Sequence, residues 1–285
     1  MFREYEELGK SIYNMEIRED DVWLLTVPKA GTNWMQTLIT CVLRDPDGVN
    51  IKTAWHHWYF LEYALLSPPP KPEDIGKDNI QLEKPFSFVD CVKGNSPRYM
   101  KTHIPLEFLP PKLQDTCKNV YVARNPQDVC VSSFHHKINA KHFNATNNFS
   151  EFFPDFVGDR TAFNPYWPHV KEGWILKDHP NVLFVFYEDM KRDLAGSIRK
   201  VADFFNKKLT DSQISNLSQV LTMDGMKKNV ETKIMKEVIM RKGIVGDWRN
   251  HFTDEMIDKM IEWNKKGREG WDFNAPPEWE LTKAP

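Results

Sequence analysis

The chain is short of net charge. Its 285 residues set 38 Lys and Arg against 40 Asp and Glu, a formal −2 at pH 7, with a pI near 6.5. No global field therefore steers it onto a polyanion, which argues against nucleic acid as a partner and makes any anion site local. Long hydrophobic runs are missing too. Val22 to Val27 and Val182 to Phe186 are strand-length, far below the ~20 residues that cross a bilayer, so no membrane partner is expected. Glu4, Glu6 and Glu7 stand where a secretory signal needs a basic, then apolar, start, and a cytoplasmic location is the expectation. Cysteine is sparse. Cys41, Cys91, Cys117 and Cys130 show no CxxC spacing, which reads as buried reduced thiols rather than disulfides or zinc ligands. The sequons at Asn144, Asn148 and Asn216 are then ordinary surface asparagines. His56-His57, His135-His136 and the other histidines lack Cys or carboxylate partners at ligand spacing, so no metal is expected. Repeats and low-complexity tracts are absent, and GxxxxGK[ST] never occurs. Gly9-Lys10-Ser11 lacks the earlier glycine and follows no strand, which removes a Walker-type nucleotide loop.

What is present is apolar bulk and alternation. With 41% hydrophobic and 13% aromatic residues, a chain of this length can bury roughly three-quarters of its unfolded surface, and one domain over 1–285 is expected. Val22 to Val27, Tyr99-Met100, Asn119 to Ala123 and Asn181 to Phe186 read as strands. Helical spacing follows at Thr32 to Arg44, Gln127 to Ile138, Met190 to Phe205 and Glu255 to Lys265. Strands alternating with helices predict an α/β fold: a central, mostly parallel sheet flanked by helices. In the last of these helices Met256, Ile257, Met260, Ile261 and Trp263 read as a core stripe. Ser67 to Lys71 and Asn139 to Phe149 read as loops, Lys227 to Met240 as a mobile flap, and the last ~20 residues as a loosely docked tail.

The chemistry-bearing residues fall just past the carboxyl ends of these strands: Lys29, Lys101 with His103, Arg124 and Tyr187. In a parallel sheet those ends share one edge, where ligands of open α/β sheets bind. Pro28 to Trp34 (PKAGTNW) is a phosphate loop in physical terms: a glycine for close approach, then a helix N-terminus offering free N–H groups. An ordinary strand-to-helix connection with a surface lysine is the competing reading. His103 suits general-base work near neutral pH, although a lone histidine is more often structural. Arg241-Lys242-Gly243 could take a second phosphate or be solvated surface charge. The aromatics at Trp55 to Phe60, Phe86, Phe88 and Phe163 to Trp167 read either as walls for an apolar acceptor or as core.

Five segments in this order resemble the cytosolic sulfotransferases: TVPKAGTNW (26–34), KTH (101–103), YVARNPQDVCVS (121–132), FYEDM (186–190) and RKGIVGDW (241–248). The likeness runs from about residue 20 to 263. It implies a P-loop-like phosphosulfate turn and transfer of a sulfonate from 3'-phosphoadenosine 5'-phosphosulfate (PAPS) to a hydroxyl or amine of a small acceptor, with PAP as product. By the same resemblance, Lys29, Ala30, Gly31, Thr32 and Asn33 hold the 5'-phosphosulfate and Trp34 stacks on adenine. Arg124, Ser132, Arg241, Lys242 and Gly243 hold the 3'-phosphate, while Tyr187, Thr222 and Met223 border the adenine. His103 is the base, and Lys101 and Lys29 offset charge on the transferring group. Phe86, His136 and Phe163 are candidates for the acceptor pocket. The chain departs from the family pattern at Ala30, where Ser is usual, at Asn33, where Thr is usual, and at Met223, where an aromatic is common. The family's dimer motif KxxxTVxxxE reads Arg249 to Asp258 and keeps only Thr253, which leaves monomer and homodimer both open. Two other activities compete: a magnesium-dependent kinase, suggested by Glu188-Asp189 after an apolar strand, and a dehydratase of sulfotransferase fold. A non-catalytic binder is the third alternative.

Overall fold

Five short strands, rich in apolar residues, pair into one sheet. A computed structural model describes residues 2–54, 56–62, 88–139, 146–229 and 242–282. The strands are β1 (Val22–Thr26), β2 (Trp58–Phe60), β3 (Tyr99–Thr102), β4 (Lys118–Ala123) and β5 (Val182–Phe186). They are all parallel, in the order β2-β3-β1-β4-β5. The α/β expectation is met, and the sheet is wholly parallel rather than mostly so. β2 is an addition to the strands read from the sequence: the aromatic run before Leu61 forms an edge strand.

Alternation along each strand sends side chains to two separate cores. Trp23, Leu25, Met100, Tyr121 and Phe184 join one core. Leu24, Val120, Val122, Leu183 and Val185 join the other. Burial on both faces is what a parallel sheet covered by crossover helices requires. In chain order the described helices are α1 (Phe2–Tyr13), α2 (Thr32–Arg44), α3 (Phe88–Lys93), α4 (Leu113–Thr116), α5 (Pro126–Asn139), α6 (Phe149–Val157), α7 (Tyr166–Ile175), α8 (Tyr187–Arg192), α9 (Leu194–Phe204), α10 (Asp211–Val220), α11 (Met223–Asn229) and α12 (Asp254–Gly267). At the amino edge of the sheet, Arg98 donates to both oxygens of Asp21, at 2.9 and 2.5 Å. This buried, bidentate pair closes the end remote from the site.

Four expectations need correction. The single helix expected over Met190 to Phe205 is two helices, because Asp193 breaks the run and caps α9 through its side chain on the Gly196 N–H at 2.8 Å. Ile261 is 43% exposed and lies off the buried stripe of α12. Lys227 to Asn229 are helical, the end of α11, and the remainder of that supposed flap lies outside the described residues, as do Ser67 to Lys71. The C-terminal tail is firmly docked: Trp279 is 5% exposed, with Trp271 and Phe273 packed on the same core. Asn125 Nδ2 donates to the Glu278 carbonyl at 2.9 Å, and Arg192 pairs with the Glu278 carboxylate. We expect Trp279→Ala to cost about 3–5 kcal/mol, read as a fall in the urea midpoint; a midpoint unchanged from the parent would mean a tail that merely rests on the surface.

Candidate active site

The sheet register brings Thr26, Thr102, Ala123 and Phe186 to one edge, and each strand hands the chain to a turn there. After β1 the backbone turns through positive φ at Lys29 (68°) and Gly31 (108°) before α2 begins. Gly31 is the N-cap of α2 and supplies no side-chain cap, so the first N–H groups of that helix remain open to an anion. A Cβ on Gly31 would stand 2.7 Å from Cδ2 of Tyr187. Gly31→Ala therefore meets both a left-handed backbone and an aromatic ring. It should cost roughly 1–3 kcal/mol and weaken anion binding, as seen in thermal midpoint and PAP titration. A variant with the parent's midpoint and affinity would show that the contact is unimportant. Ala30 is fully buried in the core, so its methyl faces away from any ligand and the residue offers backbone alone.

Arg124, just past β4, is the hub of the opposite half. It donates to the carbonyls of Lys29 at 3.1 Å and Ile244 at 3.2 Å, and its guanidinium lies 4.3 Å from the Tyr187 ring centroid. Its buried Nε has no hydrogen-bond partner among the described residues. Such an unmet donor on a cation fits a phosphate oxygen. Tyr187 in turn meets Trp34 edge-on, with centroids 5.3 Å apart. The Trp34 indole N–H donates to the Leu221 carbonyl at 2.8 Å, one residue before Thr222, whose hydroxyl accepts the Gly225 N–H at 3.0 Å and caps α11. Met223 packs against Gly243. Residues scattered from 29 to 244 are thus linked contact by contact.

The second half centres on Lys101-Thr102-His103. Lys101 Nζ donates to Gln36 Oε1 at 2.9 Å and to Asn33 Oδ1 at 3.4 Å, and lies 5.2 Å from the Phe60 ring centroid. Asn33, an oddity in sequence, has a partner here that explains its amide. Burial pushes the Lys101 pKa down to about 8, against the opposing pull of Glu62. His103 Nδ1 lies 2.9 Å from the Thr26 carbonyl, which can only accept, and 3.1 Å from the Thr26 hydroxyl; the shorter carbonyl contact favours the tautomer with the proton on Nδ1 and the lone pair on Nε2. Burial holds the ring neutral, with its pKa pushed down to about 3 despite the Thr26 hydrogen bond; the charges of Lys101 and Lys29 act in the same direction as burial. Phe60 and Phe163 each present an edge contact to His103 at 5.5 Å.

Ser132 lies on α5 and His136 one turn further along it. Lys242 pairs with Asp247 at 2.9 Å. Phe86, Trp55 and Arg241 lie outside the described residues. Sequence reasoning missed three contributors. Asp128 accepts the N–H groups of Gly246 and Trp248, at 2.7 and 3.1 Å, and so pins the 242–248 turn beside Arg124. The His169 Nε2–H donates to the His103 carbonyl at 3.0 Å, and Nδ1 accepts from the Tyr121 hydroxyl at 2.7 Å. Glu62 binds both Thr102 and His103. Glu188, which imitates a metal-binding acid in sequence, has one carboxylate oxygen bound to the Asn125 N–H at 3.0 Å.

Comparison with known proteins finds relatives over most of the chain. A family model described as a sulfotransferase domain matches residues 19–272. Human sulfotransferase 1C2 is 32% identical over 276 residues, 92% of this chain and 88% of its own. The luciferin sulfotransferase of Photinus pyralis is 30% identical over 96% of this chain and 78% of its own. Among solved structures, a retinol dehydratase bound to retinol and PAP superposes with a TM-score of 0.84 at 32% identity, covering 96% of this chain and 88% of its own. A mouse sulfotransferase complexed with PAP gives 0.73 at 25% identity, with coverage of 93% and 89%. With the family match running through every segment that builds the cleft, the chain belongs to the sulfotransferase family.

Proposed function

We propose that the cleft transfers a sulfonate from PAPS to the hydroxyl or amine of a small aromatic or apolar acceptor, with His103 as the general base. The observation that supports the base most directly is the approach of Nδ1 to the Thr26 carbonyl. With Nδ1–H spent on the Thr26 carbonyl, Nε2 is the atom left to take the acceptor's proton. Burial, with the charges of Lys101 and Lys29 acting the same way, keeps the ring neutral and so able to accept a proton; a polyanion that neutralises the two lysines removes their share of that depression.

Lys29 and the amides of Gly31 to Asn33 hold the 5'-phosphosulfate. Arg124, Ser132, Arg241, Lys242 and Gly243 hold the 3'-phosphate, and Trp34, Tyr187, Thr222 and Met223 border the adenine. PAPS supplies the sulfonate: the acceptor oxygen bonds to sulfur as the bond from sulfur to the phosphate oxygen breaks, the electron pair staying on PAP. Lys29 and Lys101 offset charge on the transferring group and the leaving oxygen, a role for which an aligned ammonium suffices. Phe163 and Phe60, edge-on to His103, line the acceptor side, with Phe86 and His136 as the further acceptor-pocket residues that the sequence suggests. The catalytic unit is the whole 1–285 chain, acting in the cytoplasm. Thr253, the surviving residue of the dimer motif, caps α12 by accepting the Met256 N–H at 3.3 Å, a local use that needs no second subunit.

The test is transfer of labelled sulfonate from PAPS to a panel of phenols, steroids and long-chain alcohols, paired with thermal shifts in PAP and in Mg-ATP. Transfer together with a PAP-specific rise in midpoint is expected. No transfer and no PAP response would overturn the reading. The likeness to retinol dehydratase supports a second outcome, in which the sulfated alcohol loses sulfate to give an alkene, and mass spectrometry of the products separates the two.

A further inference from the structure

Glu62 lies two residues past β2, on the carboxyl edge of the sheet, and is only 1% exposed. Its Oε1 accepts the His103 backbone N–H at 2.5 Å. Its Oε2 is 2.8 Å from the Thr102 hydroxyl. That hydroxyl already accepts the Ile104 N–H at 3.1 Å, so its own proton points at Glu62. A carboxyl group met by donors at both oxygens is bound as the anion. The register that sets Phe60 against Lys101, and the Leu61 N–H bond to the Lys101 carbonyl at 3.3 Å, bring Lys101 beside this strand end; burial pushes the Glu62 pKa up to about 7 against the His103 and Thr102 hydrogen bonds and the charge of Lys101, and Glu62 in turn raises the basicity of Lys101.

Among the described residues, the groups that face this pair are neutral or cationic. α2 presents the neutral amides of Asn33 and Gln36 to Lys101. The β1–α2 turn contributes the charge of Lys29. α7 contributes His169, kept neutral by burial and hydrogen-bonded to the other side of the His103 peptide.

We propose that Glu62 is a positioning residue for sulfonate transfer: it fixes the Thr102–His103 backbone so that the imidazole meets the Thr26 carbonyl, and it keeps the Lys101 ammonium protonated in a partly buried site. The inference rests on the roles given above to Lys101 and His103. The first of those roles is checked separately with Lys101→Ala, since a variant that keeps the parent turnover and the parent alkaline limb removes Lys101, not Glu62, from the mechanism.

The experiment is the pH profile of kcat and the KM for PAPS in Glu62→Gln and Glu62→Asp. The parent should lose activity as pH rises past about 8, where Lys101 gives up its proton. Glu62→Gln withdraws the anion while nearly keeping the shape, so the alkaline limb should move down by roughly one unit. Turnover at pH 8 should then fall about fivefold from lost charge alone, with a smaller change in KM. Glu62→Asp keeps the charge on an arm too short for both hydrogen bonds; the limb should return toward the parent's while kcat stays low. An alkaline limb in Glu62→Gln that coincides with the parent's overturns the charge role, whether or not turnover falls. Should Glu62→Gln not fold, as its midpoint would report, the aspartate variant decides alone, and an unchanged kcat there overturns the proposal.

Discussion

His103→Ala lowers turnover by roughly 10²–10⁴-fold, the usual worth of a positioned base, and leaves PAP affinity near that of the parent. The separation follows from the contacts. The ring touches Thr26, Phe60 and Phe163, whereas the Arg124 hub, proposed above to hold the anion, is built from Lys29, Tyr187 and Ile244. Single-turnover transfer and PAP titration measure the two effects independently. Near-normal transfer in the variant would remove the base assignment, and a matching loss of PAP binding would show that the ring supports the nucleotide site instead. His103→Gln is the informative companion, because its amide N–H can still reach the Thr26 carbonyl while offering no proton acceptor of comparable basicity at the Nε2 position.

Arg124→Ala should weaken PAP about 100-fold. Hydrogen bonds from a charged donor contribute about 1.5–3 kcal/mol each, and a loss near 3 kcal/mol corresponds to two decades of affinity. The loss should be selective: the variant binds PAP little better than adenosine 5'-monophosphate, whereas the parent prefers PAP strongly. Lysine does not rescue it, since a single ammonium cannot span two carbonyls, a tyrosine face and a phosphate as a planar fork does. Equal loss for both nucleotides would mean that Arg124 acts by holding the turns of Lys29 and Ile244 together rather than by reading the 3'-phosphate.

Much of this site is legible in the sequence because its physics is local. A strand followed by Lys29-Ala30-Gly31 announces an anion turn, and parallel strands oblige Lys101, Arg124 and Tyr187 to share its edge. What stays hidden is long-range and individual. Glu62 follows an aromatic run with nothing beside it to signal chemistry, and both of its partners come from a strand about forty residues away. Asp128 reads as an ordinary first-turn helix acid, yet it spends both oxygens on a loop about 120 residues further on. The tail was legible in principle: Trp271, Phe273 and Trp279 within a dozen residues bury too much apolar surface to float free. Asp193 and Ile261 show the opposite failure, in which helical spacing alone passes over a capping residue and a solvent-facing isoleucine.

The four thiols, Cys41, Cys91, Cys117 and Cys130, are all buried and unpaired, and burial raises the pKa of every one of them, to about 12 for the first three. Maleimide chemistry needs an accessible thiolate, so the folded enzyme offers such reagents almost nothing at neutral pH. A cysteine introduced in place of Ile244, which is 51% exposed beside the Arg124 hub, would then take a fluorophore essentially by itself, turning nucleotide capture into an optical signal without any native residue having to be removed first.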